Sequence, residues 1–512
     1  MQQIIVTPKT VKKILRELTP GKEVIFKAGR YLDVLKIKLR NGQDSPMTIL
    51  RGEPGAIITM NLSADDYREQ GNEIARQVQD GEIDTANRYP GLYPLKMDGR
   101  LKIKKSANIL IQGLTFEESW PTHIAIKKCQ NLTFRDCDFR DATFAIAATG
   151  KSTYGLRFER CRWIQDRVAG RIWKEIPWGR IHGDYRDDPQ KYGKVDVKED
   201  WRLFDGDFIR GEDIAGGLTL EHCEIGQAFN AIHLYNPKKK LDRCVDINVH
   251  DCHFFEIRDN VLEPESCAYN WWFWNNTIKN AHKPFSLNIV KGGAFYIFSN
   301  RWWFDSIQGP DCPTESRGGG MFKFHSNNKQ DQLAPNYVFH NSIATRSDYA
   351  RKGQFSGLQH FNNAIWVAHK GESYDRFILD EADFFGELSI PTSEPGYLKK
   401  RFITNWGLYN IRFENDVIYD PSWPEELLAA GYDGVTKSYA EDPRFHDVLE
   451  GDFELGTRSP CYAKGMAKKV IMPIGDDWIL PGGQDIGALQ REGLTRGPEF
   501  RPVFQSTHSE VR

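Results

Sequence analysis

Leu132-Thr133-Phe134-Arg135-Asp136-Cys137-Asp138-Phe139 is followed one repeat later by Leu156-Arg157-Phe158-Glu159-Arg160-Cys161-Arg162-Trp163. Both read apolar-x-apolar-x-x-pivot-x-apolar, with alternate residues facing one side as they do on a strand. The phrase starts again at Ile109 (pivot Leu114), Leu218 (Cys223), Ile247 (Cys252), Trp271 (Asn276) and Phe295 (Asn300). Pivots 114, 137 and 161 are 23 and 24 residues apart, and pivots 252, 276 and 300 are 24 and 24 apart. Such a period is one coil of a parallel β-solenoid, and the longer gaps 161–223, 223–252 and 300–341 read as the same coil with loops at its corners. Val338 to Ile343 keeps the phrase in part, with Asn341 as pivot. Asn410 to Asn415 keeps it with a one-residue slip.

Stacking places identical positions about 4.8 Å apart. The pivot cysteines are therefore expected to pack as a column and the pivot asparagines to hydrogen-bond as a ladder. The chain holds nine cysteines, an odd number with no C-x-x-C pair, so buried packing is expected rather than disulfides or metal. The fold class predicted is all-β: a right-handed parallel β-helix with an N-terminal capping helix and long loop insertions. It is expected to form a single domain over 1–490, with 491–512 as a C-terminal tail. The capping helix is predicted over 10–19, with Thr10 as its cap and Val11, Ile14, Leu15 and Leu18 on one face. Pro20-Gly21 ends it, and Glu23 to Tyr31 reads as the first strand and turn. Two polar, aromatic-bearing insertions, 62–100 and 164–215, interrupt the coils, and loops of that length in a compact repeat are usually functional.

The 512 residues are 40% hydrophobic, 12% aromatic and 27% charged, with a formal net charge of −2. That composition fits a folded core and lacks the strong basic balance of a nucleic-acid binder, so no nucleic-acid partner is expected. No run of 18 apolar residues occurs, so no membrane span is expected. The start, MQQIIVTPKTVKKIL, lacks the sections of a secretory signal. A secreted or periplasmic location, which is expected, needs a leader ahead of Met1, and a cytoplasmic one stays open.

Beyond each pivot lies a second apolar alternation. Ala231 to Tyr235, Val261 to Glu265 and Pro284 to Asn288 align, so Ile232, Leu234, Leu262, Phe285 and Leu287 should point inward. His233, Tyr235, Glu263, Glu265, Ser286 and Asn288 then form one outward patch over three coils. Residues i and i+2 on a strand lie about 6.5–7 Å apart, and carboxyls about 6.5–9.5 Å apart suit an inverting glycosidase. Glu263 and Glu265 are the candidate catalytic pair, with Asp259 as a third carboxylate, because crowded acids raise one pKa and so provide a proton donor. His233, Tyr235, Asn288, Arg258 and Lys291 are candidates for holding substrate. Trp272 and Trp274 are expected outward, where indole faces stack on sugar rings. Trp173, Trp178 and Trp201 are candidate cleft-wall residues of the second insertion.

Leu18 to Tyr31 followed by Met47 to Gly52 resembles the opening of the pectate-lyase-like superfamily of right-handed β-helix proteins. Asp442 to Phe445, Gly451 to Leu455, Ser459 to Cys461 and Asp485 to Ala488 resemble the closing segment of its bacterial members. The resemblance covers nearly the whole chain and implies the fold and a carbohydrate-active role. It does not choose a reaction, because this fold carries lyases, hydrolases, epimerases, esterases and adhesins. Glu263-Pro264-Glu265 also resembles the Glu-x-Glu calcium ligands of family 6 polysaccharide lyases, the alginate and chondroitin B lyases. Calcium at Glu263 and Glu265 is implied there, with a nearby lysine as base and an arginine about one coil later. Ser266 to Tyr269 holds no lysine, and the arginine position falls near Asn288. Lys283 and Lys291 are possible substitutes, while Lys323, His325 and Arg351 lie in coils whose register is open.

Three functions follow. The first is a glycoside hydrolase for polysaccharides or oligosaccharides that needs no cofactor. The alternatives are a calcium-assisted lyase for uronic-acid polymers and a non-catalytic glycan-binding, adhesin-like β-helix.

Overall fold

Leu132 lies between Ile109 and Leu156, and Leu156 next to Leu218, in the parallel register that the repeat requires. The computed structural model describes residues 1–79, 99–182, 201–238, 240–305, 320–324, 331–332, 335–345, 350–351, 357–367, 412–419, 435–436, 441–488 and 500–503. Described residues within Met1–Tyr235 and Phe254–Val261 form one compact unit, and those within Asn236–His253, Leu262–Gly309 and Ser316–Arg512 form a second.

In the first unit the chain visits three parallel sheets in turn. The first runs from Gln2–Val6 and Lys22–Phe26 through Thr48–Gly52, Ala107–Gln112, Gln130–Arg135 and Tyr154–Glu159 to Gly216–Glu221. The second stacks Gly29–Tyr31, Ala56–Thr59, Thr115–Glu117, Asp138–Arg140, Arg162–Ile164 and Glu224–Ala228. The third stacks Leu35–Ile37, Leu101–Lys104, Thr122–Lys127, Phe144–Thr149, Asp207–Glu212 and Asn230–Tyr235. Alternation sends one residue in two inward, where like stacks on like. The Phe134 and Phe158 rings are 4.8 Å apart, and those of Phe116 and Phe139 are 5.0 Å apart.

The cysteine pivots form the expected column. Cys137, Cys161 and Cys223 point their thiols at the carbonyls of Ile111, Phe134 and Phe158, one coil back, at 3.5, 3.4 and 3.5 Å. Every described cysteine is buried, and burial pushes the Cys161 thiol far above its usual range.

His123 is wholly buried, with its ring 6.1 Å from those of both Phe116 and Phe139. Burial lowers its pKa from 6.5 to about 3. Between those values the unfolded chain binds the proton and the folded chain does not, so stability falls as pH drops through this window. The expected cost at pH 5 is about 2 kcal/mol. His123→Phe should flatten this acid slope, as read from urea midpoints at pH 7 and pH 5; an unchanged slope would contradict the assignment.

The N-terminus differs from the reading of the sequence. Gln2–Val6 is already a strand, paired with Lys22–Phe26. The pattern hides it because only Val6 of its five residues is buried. The helix is shorter than 10–19, Val11–Arg16, and packs against Leu35–Ile37. Thr10 makes no side-chain bond to the helix amides; its hydroxyl accepts the Thr7 amide at 2.9 Å instead.

The second insertion is also shorter than 164–215, because Asp207–Glu212 is a third-sheet strand. The described parts of both insertions share a core of their own. It joins Tyr67 of the helix Ala64–Gln79 to Ile172, Ile176 and Leu203 around Trp120 and Phe204. Trp173 is buried, Trp178 and Trp201 are half-buried against the same cluster, and the Arg68 guanidinium sits 3.7 Å over the Trp201 ring. These tryptophans are thus used in packing, which corrects their reading as a cleft wall.

In the second unit the asparagine ladder is longer than the repeat suggested. The amide of Cys252 donates to Asn276, and the amides of Asn276, Asn300, Asn341 and Asn363 donate in turn to the side chains of Asn300, Asn341, Asn363 and Asp416, at 2.8–3.0 Å. The slip read at 410–415 is resolved by Asp416, which is the pivot; His360 pairs with Phe413. Strands Lys468–Val470 and Trp478–Leu480 lie over Trp272, Phe298 and Phe339. Part of the stretch read as a tail docks here as well: Phe500 meets Trp272 at 5.7 Å, and the Val503 amide donates to Asp246 at 2.7 Å. Among the described residues no helix is long and apolar enough to cross a membrane.

Candidate active site

Leu262–Trp274 pairs with Phe285–Phe298, setting Leu262 beside Phe285 and Glu265 beside Asn288. The next coil sets Phe322 beside Phe285 and Lys323 beside Ser286, and the one after sets Arg351 beside Lys323. Leu262, Phe285 and Phe322 are buried inward, so alternation turns Glu263, Ser286 and Lys323 to the outer face. Glu263 is 8% exposed and Ser286 is fully buried. The Ser286 hydroxyl donates to Glu263 Oε1 at 3.4 Å. Glu265 and Lys323 are half-buried.

The carboxyl oxygens of Glu263 and Glu265 come within 4.8 Å of one another. That suits one shared cation, because calcium takes oxygens at about 2.3–2.6 Å. The register shifts just after, between Ser266 and Cys267, and Ser266 has a φ of 75°; bulges of this kind re-aim neighbouring side chains. Lys291 lies beyond the bulge, half-buried, beside Cys267 and Asp331. Lys283 is buried. The side chains of Asn288 and Arg351, and all of His325, lie outside the described residues.

His233 and Tyr235 stand on a strand of the first unit, beside Arg210 and Glu212. The alignment of 231–232 with 261–262 holds there: the amides of Ala231 and Ile232 donate to the carbonyls of Asn260 and Val261, both at 3.0 Å. His233 is buried, and its Nδ1 contacts the Arg210 guanidinium. Asp207 lies 3.5 Å from the same guanidinium and 3.8 Å from His233. Sequence reasoning misses Asp207 and Arg210 because they fall in what scans as an insertion; the buried pair Phe208-Ile209 is the available signal of a strand.

Several predicted residues do not reach solvent. Arg258 is fully buried, in a turn whose amides at 258 and 259 bond Ala228 and Phe229, both at 2.8 Å. Its reading as a substrate residue is corrected. Asp259, in the same turn, is 4% exposed. Trp272 does point out of its coil, yet the C-terminal segment covers it and leaves it 3% exposed. Trp274 is half-buried with His250 stacked at 4.6 Å and Phe298 stacked at 5.8 Å. Neither indole offers a face to a sugar, contrary to expectation.

Coils that visit stacked parallel sheets in a fixed order decide the architecture. The chain is a parallel β-helix. No protein-family model and no curated protein matches its sequence. Among solved structures, this β-helix is similar to a mannuronic acid specific family 6 polysaccharide lyase from human gut microbiota, at 13% identity over 83% of this chain and 98% of that one, with a TM-score of 0.34. It is similar to pectate lyase Pel9A at 9% identity over 96% of each chain, with a TM-score of 0.38. A Yersinia enterocolitica family 28 exopolygalacturonase matches at 11% identity over 75% of this chain and 79% of that one, with a TM-score of 0.33.

Proposed function

We propose that this β-helix cleaves uronic-acid polysaccharides by β-elimination, with Lys323 as the base. The observation that carries the reading is the ladder Glu263, Ser286, Lys323 on successive strands, which supplies the lysine that Ser266 to Tyr269 lacks. Glu263 and Glu265 offer hard oxygen donors close enough to hold one calcium ion, and such an ion would neutralise the substrate carboxylate. Lys323 Nζ takes the proton from the carbon bearing that carboxylate. The electron pair of this C–H bond becomes the new C=C bond, the glycosidic C–O bond breaks, and the leaving oxygen gains a proton. Ser286 keeps Glu263 oriented. Arg351 adds a second cationic residue at the adjacent register position.

A second reading rests on the same carboxyl spacing. Oxygens within 4.8 Å also suit a retaining hydrolase, whose carboxyls stand about 5–5.5 Å apart. Metal dependence separates the two. Elimination is expected to fall at least about tenfold on adding a chelator and to recover with calcium, and Glu265→Gln should raise the calcium needed for half-maximal rate by about tenfold. Turnover indifferent to chelator would move the assignment to hydrolysis.

A further inference from the structure

Where the third sheet turns into the first, the first unit repeats one backbone conformation on successive coils. Arg40, Lys105 and Lys128 hold it with φ of 54°, 47° and 55°. The Arg40 amide donates to the Lys105 carbonyl, and the Lys105 amide to Lys127, both at 3.0 Å. The left-handed region is costly for residues other than glycine, asparagine and aspartate. The neighbouring turn shows the ordinary solution: Asn108 and Asn131 are also left-handed and bond each other at 3.2 Å. At the Arg40 turn, instead, Lys105 and Lys128 stack in register at about 4.8 Å, and Arg40 stands one residue past the equivalent position on the coil before, its amide bonded to the Lys105 carbonyl, so three like charges are set close together. Gly150 and Asp213 take left-handed conformations on the following coils, so the cationic run is three coils long.

These side chains are exposed, and with Lys38 they line a groove of about 670 Å³ whose walls hold no carboxylate. Among the described residues none of the four cationic groups makes an ion pair. Lys104 and Lys127, paired in register and exposed, extend the charge along the third sheet. A chain with net charge −2 has thus concentrated unpaired positive charge in one groove, and it is this charge, rather than the left-handed turn that also recurs at Glu118, Arg160 and His222, that points to an anionic ligand.

We propose that Lys38, Arg40, Lys105 and Lys128 form a binding groove for an acidic polysaccharide chain laid along the stack, with the cations of three successive coils meeting successive anionic groups. The proposed function is used only to choose the polymer; the sign and periodicity of the site come from the groove itself.

The test uses the full chain and the triple variant Arg40→Asn, Lys105→Asn, Lys128→Asn, since asparagine suits left-handed turns and removes the charge. Both are run by affinity electrophoresis through gels containing a polyuronate, a neutral glucan or duplex DNA. The wild type should be retarded by the polyuronate alone, and the variant should bind it at least about tenfold more weakly while circular dichroism and cleavage of short oligouronides stay unchanged. Equal retardation of both proteins overturns the proposal, as does DNA that retards the wild type as strongly as the polyuronate. Retardation that depends on the variant in a protein that cleaves no uronate removes the proposed function and leaves the groove. Cleavage with variant-independent retardation does the reverse.

Discussion

Lys323→Ala is expected to lower kcat on a polyuronate by about 10²–10⁴-fold, the usual contribution of a positioned general base, with the thermal midpoint unchanged. Lys323 is half-buried beside Ser286 on the strand Phe322–Phe324, so the alanine removes a reactive amine without opening the core. Lys323→Arg should be equally inactive, because a guanidinium does not release its proton and cannot act as a base. The rate of the wild type should rise with pH as the amine loses its proton. A purely structural role for Lys323 would show the opposite pattern, with arginine restoring the rate and the pH profile unmoved.

Asn300→Leu is expected to cost about 3 kcal/mol or more in the second unit, since each buried polar group left unpaired costs about 1–3 kcal/mol. The Asn300 side chain donates to the Phe273 carbonyl at 2.9 Å and to Asn341 at 3.0 Å, and accepts the Asn276 amide at 3.0 Å. Leucine is of similar length and shape, so the loss is polar rather than a cavity. Asn300→Cys should be milder, because at Cys137, Cys161 and Cys223 a thiol meets the equivalent carbonyl. Chemical denaturation monitored by tryptophan fluorescence reads both; equal midpoints for the Asn300→Leu variant and the wild type would mean that the ladder is not a source of stability.

The coils are legible in the sequence because a solenoid writes its register into every repeat: Leu132, Leu156 and Leu218 align from the sequence alone. What escapes is set by contacts between distant segments. Trp272 and Trp274 alternate as outward residues should, yet Val470, Trp478 and Phe500 cover that face. Nothing within one coil's length of sequence reports a cover that comes from the far end of the chain. Arg258 reads as exposed because charged residues usually are, whereas it sits in a turn held by the coil before it. Lys323 is hard to register because the chain between Phe285 and Phe322 is longer than one coil, so Met321-Phe322-Lys323-Phe324 has no counted neighbour to align with. Glu263 and Glu265 emerge from alternation alone. How close their oxygens come, which lets one cation be shared, depends on side-chain rotation that no pattern encodes.

The most direct test of the central claim follows one reaction mixture of purified protein, calcium and polyuronate by two signals, the ultraviolet absorbance of a newly formed double bond and the appearance of reducing ends. Elimination at Lys323 predicts that both rise together from the first minutes and that both vanish in Lys323→Ala. Reducing ends without absorbance would contradict elimination and assign the carboxylate pair to hydrolysis, and silence in both would leave a glycan-binding β-helix without catalysis.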